Sequence, residues 1–427
     1  MLANMGWMRP HDIRPYGKLF AGKGKNMKIT SVDVMELKVR ANPNWRPIIC
    51  RINTDEGIYG YGEAALAYGM GASAAFGMIR DLAKMIIGMD PLDNEVIWNK
   101  LYLNTFWAQN GGPVVYSGMS AIDIALWDIR GKFFNVPVYK LLGGKKRDKL
   151  RAYASQLQFG WEEKAEKVYA PAFSPEDYAR AARKAVDEGY DAIKIDFFIF
   201  APDGGQFRDD ERTGMLKPYY LHVIEDRLSA VRKEIGPNVD IIIENHSLTD
   251  ALSSVQIGQM AEKYNIFYFE EPTTPTPDLT RAVKKKVRIP LASGEKIYTR
   301  WQFSPYLREG LLQVIQPDLG TCGGITEAKK ICDMAYVYDA SVQIHVCGSP
   351  ISTAAALQIE AVIPNFCIHE HHIISRSQGF RELCVNDYQP IDGSMSVPEL
   401  PGIGNELSEY ALKTADIVTV TETGDWR

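Results

Sequence analysis

Three glutamates follow short strand-like runs at regular intervals along the chain. Glu244, Glu270 and Glu295 are separated by 26 and 25 residues, and the first ends the run Asp240-Ile-Ile-Ile-Glu244. Such an interval accommodates one strand, one helix and two short loops, the repeating unit of a parallel α/β barrel. Carboxylates at successive strand ends would converge at the C-terminal mouth of the barrel. Three hard, anionic oxygen ligands favour Mg²⁺ over a softer metal, so the spacing predicts one Mg²⁺ site.

A histidine and an aspartate show the same interval further along the chain. Asp318 and His345 are 27 residues apart, and each follows a strand-like run. At neighbouring strand ends, the carboxylate would orient the imidazole and raise its basicity, as a general base requires. A lone histidine would more often be a hydrogen-bonded core residue. The aspartate one repeat earlier favours the catalytic interpretation.

A second histidine lies two residues after the first glutamate of the triad. If the strand pattern persists beyond Glu244, the side chain of His246 faces the same side of the sheet. That placement predicts an imidazole beside the metal and the bound substrate. The alternative is a histidine that turns outward where the strand ends.

Strand and helix signals alternate from Leu150 onward, which predicts the elements that position these residues. Eight strands favour a closed barrel over an open sheet. A long insertion, 199–219, follows the second strand, and a loop of that length at a barrel mouth is more often functional than idle. The predicted strands are 151–155, 191–197, 239–244, 266–270, 289–293, 312–316, 341–346 and 366–370.

The remainder of the chain predicts a second domain. Residues 28–60 have the pattern of antiparallel strands, with a hairpin signal at Asp55-Glu-Gly57, and helical periodicity follows from about residue 75. The predicted organisation, with its boundaries, is as follows: an N-terminal extension at 1–26, an α+β capping domain at 27–148, a barrel at 149–380, and a C-terminal segment at 381–427 that returns to the capping domain.

Composition excludes several classes of partner. The net charge is −5 over 427 residues, with both signs spread along the chain, which argues against nucleic acid or an anionic membrane as partner. No apolar run approaches the ~18 residues of a membrane span. The six cysteines lack zinc-type spacing and suit buried thiols in a reducing compartment, so we expect a cytoplasmic protein.

Four further motifs carry a family resemblance over residues 27–405. They are Gly118-Met-Ser-Ala-Ile-Asp-Ile-Ala-Leu-Trp-Asp-Ile-Arg-Gly131, Pro137-Val-Tyr-Lys-Leu-Leu-Gly-Gly144, Phe269-Glu-Glu-Pro272, and Gln316-Pro-Asp318 with Gly323-Gly324. Together they resemble the mandelate racemase-like group of the enolase superfamily. The resemblance implies an α/β fold: a modified TIM barrel, (β/α)7β, with an α+β capping domain formed by the N-terminal region and the C-terminal tail. It also implies Mg²⁺-dependent proton abstraction next to a carboxylate, in a homo-oligomer.

The resemblance also assigns roles around the metal. It implies that Glu244, Glu270 and Glu295 bind Mg²⁺, although aspartate is commoner at the first position. Glu271 faces the other side of its strand and is expected to pair with a barrel lysine or arginine. Glu370 corresponds to a protonated acid that hydrogen-bonds the substrate carboxylate.

Lys194 and Asp196 occupy a position where racemases of this group usually have Lys-x-Lys. We expect Lys194 to neutralise the substrate carboxylate and the developing enolate. Asp196 either binds a sugar hydroxyl or pairs with Lys194, and the sequence leaves both open. An aspartate in place of the second lysine disfavours racemisation between two opposed bases.

The arrangement Glu244-Asn-His246 resembles that of sugar acid dehydratases such as galactonate and mannonate dehydratases. The resemblance implies that His345, assisted by Asp318, removes the C2 proton of an acid sugar. His246 would protonate the departing β-hydroxyl, and the product would be a 2-keto-3-deoxy acid.

Two stretches of the first domain resemble the capping loops of the family. They make Trp45, Arg46 and Tyr68 candidates for substrate contact, with plain packing as the alternative for each.

Three other functions are alternatives to dehydration, and the residues present argue against the second and the third. A racemase or epimerase would use Lys194 and His345 as its two bases. A barrel retained only for binding or structure should have lost its metal-ligating residues, whereas the three glutamates and the pair of His345 with Asp318 are present. A zinc hydrolase barrel should have His-x-His on its first strand, and Arg151–Ser155 contains no histidine.

Overall fold

The computed structural model describes residues 27–40, 42–161 and 170–424 of the chain. The predicted N-terminal extension, 1–26, lies outside the described residues. Within them, the strands form a four-stranded sheet and a larger, mainly parallel sheet.

The smaller sheet is antiparallel and contains both early and late parts of the chain. Its strands are β1 (Ile29–Glu36), β2 (Ile48–Thr54), β3 (Tyr59–Ala64) and β13 (Asp416–Val420). Their order is β13-β1-β2-β3, and Val34 of β1 is paired with Val418 of β13. The turn between β2 and β3 places Gly57 at φ 74°, which glycine adopts without steric cost. The C-terminal segment therefore returns to the sheet that the N-terminal strands begin.

Helices cover one side of this sheet at very short range. These helices are α1 (Ala72–Ala83) and α3 (Pro113–Phe134), and the shorter helices α2 (Asn94–Asn104) and α4 (Val138–Leu141) pack against α3. A Cβ atom added at Gly62 of β3 would lie 2.0 Å from the carbonyl oxygen of Ala121 in α3. Only glycine permits this approach of helix to strand, so Gly62 brings the two backbones together.

The larger sheet contains eight parallel strands arranged as a barrel. Backbone hydrogen bonds from the Val342 amide to the Asn365 carbonyl (2.8 Å) and from the Cys367 amide to the Val342 carbonyl (2.7 Å) join the last two strand segments. Seven helices alternate with eight strands, which confirms the predicted (β/α)7β fold class. The strands are β4 (Lys149–Ser155), β5 (Ala192–Ile195), β6 (Asp240–Glu244), β7 (Ile266–Glu270), β8 (Leu291–Ser293), β9 (Val314–Ile315), β10 (Ser341–Val342) and β11 (His369–His372).

The helices that connect these strands begin at recognisable capping sequences. Ser174, Thr276 and Ser349 each accept a backbone N–H through the side-chain oxygen, and each precedes a proline at the first helical position. The connecting helices are α5 (Pro175–Asp187), α7 (Pro218–Ile235), α8 (Ala251–Ala261), α9 (Pro277–Lys284), α10 (Thr299–Arg308), α11 (Gly324–Val337) and α12 (Pro350–Glu360).

The remaining elements are short. The insertion that follows β5 contains α6 (Asp209–Arg212), and the aromatic rings of Phe207 and Tyr220 lie 5.7 Å apart where it meets α7. After the barrel come α13 (Gln378–Arg381), β12 (Ser394–Ser396) and α14 (Glu409–Thr414). Strand β12 pairs antiparallel with β4, at the end of that strand remote from the mouth.

Two expectations from composition can be compared with the structure. All six cysteines are free, and each is buried or half-buried, in agreement with the prediction of thiols without disulfides. Of the helices in the described residues, none has the length and apolar character needed to cross a bilayer.

Asp128, in the first signature motif, connects three parts of the molecule. Its buried carboxylate accepts hydrogen bonds from the backbone amides of Tyr61 in β3 and Ile403 in the C-terminal segment, both at 2.9 Å. Lys132, one turn further along α3, donates to the same carboxylate at 2.7 Å. All three partners are donors, so the site requires a group that only accepts.

Replacing Asp128 with asparagine should destabilise the protein. The amide has one acceptor oxygen and would turn its NH₂ group towards a donor, while Lys132 loses one of its two carboxylate partners and keeps only Glu406. We expect the free energy of unfolding to fall by about 3 kcal/mol, measured by urea denaturation followed by circular dichroism. The control Asp148→Asn changes an exposed carboxylate and should shift the free energy of unfolding by less than about 0.5 kcal/mol. Equal effects of the two substitutions would contradict this account.

Candidate active site

The three predicted glutamates converge at the C-terminal mouth of the barrel. Glu244 ends β6 and Glu270 ends the adjacent strand β7, and the two are paired in register. Glu295 follows two residues after the end of β8. One carboxylate oxygen from each lies within 4.8 Å of the others. The parallel register of neighbouring strands thus produces the cluster that the sequence interval predicted.

The cluster fits a divalent cation. All three donors are carboxylate oxygens, the ligands that Mg²⁺ prefers. The Oε2 atom of Glu270 is buried and has no hydrogen-bond partner among the described residues. A buried carboxylate oxygen without a partner is costly unless a ligand satisfies it. The neighbouring Glu271 lies just past the end of β7, at φ 45°, and contacts Lys296 and Ser293.

Lys194 lies inside the barrel beneath this cluster. Its Nζ is 2.6 Å from Glu270, 2.9 Å from Glu370 and 3.3 Å from Glu244. Burial lowers the pKa of Lys194, but the three carboxylates outweigh it and hold that pKa well above the usual value. The expected contact with a substrate carboxylate is not what the structure shows, because the ammonium group is fully buried and surrounded by protein carboxylates.

His345 and Asp318 form the predicted pair. The two residues form a parallel β-bridge, and Nδ1 of the imidazole is 2.7 Å from Oδ2 of the carboxylate. The other ring nitrogen, Nε2, is 3.0 Å from Glu295 Oε2 and therefore faces the carboxylate cluster. Burial lowers the pKa of His345, but Glu295 and Asp318 outweigh it and raise that pKa well above its usual value.

His246 forms a second pair of the same kind, with Asp196. Its Nδ1 is 2.9 Å from Asp196 Oδ2, and its Nε2 is 3.3 Å from Glu244 Oε1. Burial lowers the pKa of His246, but Glu244 and Asp196 raise it to about 9. The sequence analysis left two roles open for Asp196, as a ligand of a sugar hydroxyl or as a partner of Lys194. The contact between Asp196 and His246 corresponds to neither role. The carboxylate orients a histidine instead.

The backbone at His246 differs from the strand that the sequence suggested. Strand β6 ends at Glu244, and His246 has φ 49°, in the left-handed region. Such a conformation is uncommon for a residue other than glycine and tends to occur at functional sites. It turns the imidazole back towards Glu244, so the side chain reaches the cluster although the strand does not continue.

Gln156 is a site residue that the sequence analysis missed. It follows directly after β4, has φ 72°, and its Nε2 donates to Glu244 Oε2 at 2.7 Å. The same nitrogen is 3.1 Å from His246 Nε2. Its position immediately after a barrel strand was the available signal, since strand ends form the mouth of the barrel.

Glu370 differs from its predicted role as a protonated acid. Its Oε1 accepts from Ser155 (2.8 Å) and Lys194, and its Oε2 accepts from the Val346 amide (3.1 Å). Burial raises the pKa of Glu370, but Lys194 and His345 outweigh it and hold that pKa below its usual range. Both oxygens of this carboxylate therefore accept hydrogen bonds from protein donors within the barrel.

The side chains of β11 alternate between the two faces of the sheet. Glu370 and His372 face the barrel interior, whereas His369 faces outward to Glu360 (2.7 Å) and His371 to the hydroxyl of Tyr190 (2.6 Å). His371 and His372 are both buried strand residues.

A cleft of about 840 Å³ opens above the carboxylate cluster. Trp45 and Tyr68 form one wall, with their ring centroids 5.4 Å apart, as expected for capping-loop residues. Arg46 is not among the lining residues, because its guanidinium is held by Glu36 at 2.7 and 2.9 Å. The lining residues include Asn42, Asn44, Trp45, Leu66, Tyr68, Gln156, Phe159, Ile199, Glu244, His246, Glu295, Lys296, Tyr298, Asp318, Thr321, His345 and His372.

The fold and the site together define a capped α/β barrel with acidic and imidazole groups at its mouth. Residues 177–411 match the family model of the enolase C-terminal domain-like proteins, and residues 29–143 match that of the mandelate racemase/muconate lactonizing enzyme N-terminal domain. The chain therefore belongs to the mandelate racemase/muconate lactonizing enzyme group of the enolase superfamily, as the sequence motifs indicated.

Similar proteins include dehydratases. The D-xylonate dehydratase of Haloferax volcanii is 32% identical over 384 residues, covering 89% of this chain and 87% of that protein. The D-gluconate dehydratase of Thermoproteus tenax is 30% identical, and the match covers 86% of this chain and 69% of that protein. A crystal structure of an enolase superfamily member from Salmonella Typhimurium is 53% identical, with a TM-score of 0.88 over 92% of this chain and all of that one.

The contacts of Lys194 predict its contribution to stability. In Lys194→Met, three buried carboxylates lose their common counter-ion, so we expect the free energy of unfolding in metal-free buffer to fall by about 3 to 5 kcal/mol. Denaturant unfolding of wild type and variant measures this difference. The control Lys263→Met removes an exposed ion pair with Glu225 and should cost less than about 1 kcal/mol. A Lys194 variant as stable as this control would contradict the assignment.

Proposed function

We propose that this protein is a Mg²⁺-dependent dehydratase that converts an acid sugar into a 2-keto-3-deoxy acid. The observation that carries the proposal is the presence of two His–Asp pairs beside one carboxylate cluster. His345 Nε2 is 3.0 Å from Glu295, and His246 Nε2 is 3.3 Å from Glu244. Dehydration needs one group that removes a proton and another that protonates a leaving hydroxyl. The relatives that are named sugar acid dehydratases support the same reaction class.

His345 takes the role of the base in this proposal. Its imidazole accepts the proton from C2, and the electron pair of the C–H bond passes to the adjacent carboxylate as an enediolate. Asp318, at 2.7 Å from Nδ1, fixes the ring orientation and stabilises the imidazolium that forms.

His246 takes the role of the acid. The enediolate electrons form the C2–C3 double bond as the C3–O bond breaks, and the imidazole donates a proton so that the hydroxyl leaves as water. The enol that remains tautomerises to the 2-keto acid, and no oxidant or reductant is required. Asp196 positions the ring of His246, as Asp318 positions that of His345.

Glu244, Glu270 and Glu295 would hold the Mg²⁺ ion, one per chain. The ion would supply positive charge for the substrate carboxylate as negative charge develops on its oxygens. Lys194 lies on the other side of the same glutamates and compensates their charge within the barrel.

The charges of the cleft favour an aldonate over an aldarate. Among the cleft-lining side chains that the structure describes, Lys296 is the only lysine or arginine, and it already contacts Glu271 and Glu295. A second carboxylate at the far end of an aldarate would find no free cation there. A chain of hydroxyls would instead meet neutral hydrogen-bonding groups from Asn42, Asn44 and Tyr68.

Racemisation or epimerisation is the second candidate, and the structure offers it less support. Its second base would be Lys194, whose ammonium group contacts three carboxylates and is buried. Asp196, in place of the second lysine of the racemases, contacts His246 instead.

Substitution of the two histidines tests the assignment of acid and base. His345→Asn should abolish both C2 proton exchange with deuterated solvent and formation of keto acid, because both need the base. His246→Asn should lower dehydration by about 10²-fold or more while exchange persists, since only the acid is lost. Exchange is followed by NMR and the product by semicarbazide absorbance, over a panel of acid sugars with Mg²⁺.

The matched control for these substitutions is His222→Asn, which alters an exposed histidine on α7. It should leave both rates unchanged. Dehydration at the wild-type rate in His246→Asn would exclude the proposed acid. Exchange without keto acid in the wild-type protein would favour the epimerase instead.

Metal binding can be tested without turnover. Calorimetric titration of metal-free protein should show one Mg²⁺ or Mn²⁺ per chain, and Glu270→Gln should weaken that binding by about 10²-fold or more, because an anionic ligand becomes neutral. The control Glu360→Gln changes a buried acid that pairs with His369 on the outer face of the sheet and should bind the ion normally. Full turnover after exhaustive chelation would refute the requirement for a metal.

A further inference from the structure

His372 is a cleft-lining group to which the mechanism above gives no role. It lies two residues after Glu370 on β11, so its side chain faces the barrel interior. It lines the same cleft as His246 and His345, and its ring centroid is 6.1 Å from that of Trp45. This position is on the side of the cleft where Trp45 of the capping domain lies, and His372 is not one of the proposed metal ligands.

The contacts of the ring fix which nitrogen carries the proton. Nδ1 accepts a hydrogen bond from the backbone amide of Ile374, at 3.1 Å, where a turn of 3₁₀-helix (Ile373–Arg376) begins. An imidazole that accepts at Nδ1 has its proton at Nε2. Burial lowers the pKa of His372 to about 3, although Glu370 opposes this shift, so the ring is neutral. No residue within the described ranges hydrogen-bonds to Nε2.

We propose that His372 donates a hydrogen bond from Nε2 to a hydroxyl of the substrate remote from C2 and C3, and so determines which acid sugars bind. The inference rests on the proposed function and extends it from the reacting carbons to the rest of the sugar chain. The Ile374 amide holds the ring in one orientation, so the donor is fixed before the substrate binds.

The type of donor identifies the type of group it recognises. A neutral N–H suits a hydroxyl, whereas a second carboxylate would be bound more strongly by a cation. A donor that the bound ligand covers but leaves without a partner penalises a ligand that lacks the matching hydroxyl. His372 therefore discriminates between sugars by the presence and position of one hydroxyl.

Equilibrium binding to the Mg²⁺-loaded protein tests this role. Calorimetry would compare Kd values for D-gluconate, D-galactonate and D-xylonate, and for mono-deoxy analogues of whichever binds most tightly. In the wild-type protein, loss of one distal hydroxyl should weaken binding by about tenfold or more. In His372→Asn this ratio should fall to near one. Asparagine can still accept from the Ile374 amide as a helix cap, but its shorter side chain does not reach the position of Nε2.

His371→Asn is the matched control, because it alters the adjacent buried histidine, which faces away from the cleft. It should keep the wild-type ratio. An unchanged ratio in His372→Asn, or an equal loss of affinity for the parent sugar and every deoxy analogue, would overturn the proposal. So would a wild-type protein that shows no preference for any distal hydroxyl. The measurement of Kd needs no turnover. If the wild-type protein prefers a distal hydroxyl and His372→Asn removes that preference, but no keto acid forms, the dehydration is rejected and the role of His372 is retained.

Discussion

The structure depends on the compensation of negative charge inside the barrel mouth. Glu244, Glu270 and Glu370 are each about 1% exposed, and ionised carboxylates at such depth are unfavourable unless opposite charge lies close by. Lys194 supplies one positive charge from within the barrel. A divalent cation bound on the side of the cleft would supply two more, and the buried Oε2 of Glu270 that lacks a partner is available to it. Lys194 therefore compensates the cluster from within the barrel, and the proposed metal would compensate it from the side of the cleft.

The parallel sheet positions two imidazoles by the same arrangement, used twice. A histidine near the end of one strand contacts an aspartate near the end of the preceding strand: His345 with Asp318, and His246 with Asp196. In each pair the aspartate contacts Nδ1, which leaves Nε2 towards the metal ligands. Two orienting carboxylates thus present two imidazoles to one site from different strands. Such fixed placement reduces the reorganisation needed when a proton is transferred.

The sequence predicted those features that follow from the spacing of elements. Intervals of 26, 25 and 27 residues identified the three glutamates and the pair of Asp318 with His345, because strand register in a barrel is regular. Features that depend on local backbone conformation were missed: Gln156 was not identified, and His246 reaches the cluster through a positive φ value and not by the continued strand that was expected. Competition between partners also escaped prediction. Arg46 is bound by Glu36, and Lys194 is bound by three carboxylates, so neither side chain is free for a ligand. The lengths of two strands were also overestimated, since β9 and β10 contain only two paired residues each.

The pairing of β1 with β13 has a consequence for synthesis of the chain. Strands β1 to β3 emerge from the ribosome first, yet their neighbour, Asp416–Val420, emerges only after every strand of the barrel. Until then the outer edge of β1 exposes unpaired backbone groups, a surface on which other strands can add. The four-stranded sheet can consequently be completed only after all eight barrel strands have been synthesised.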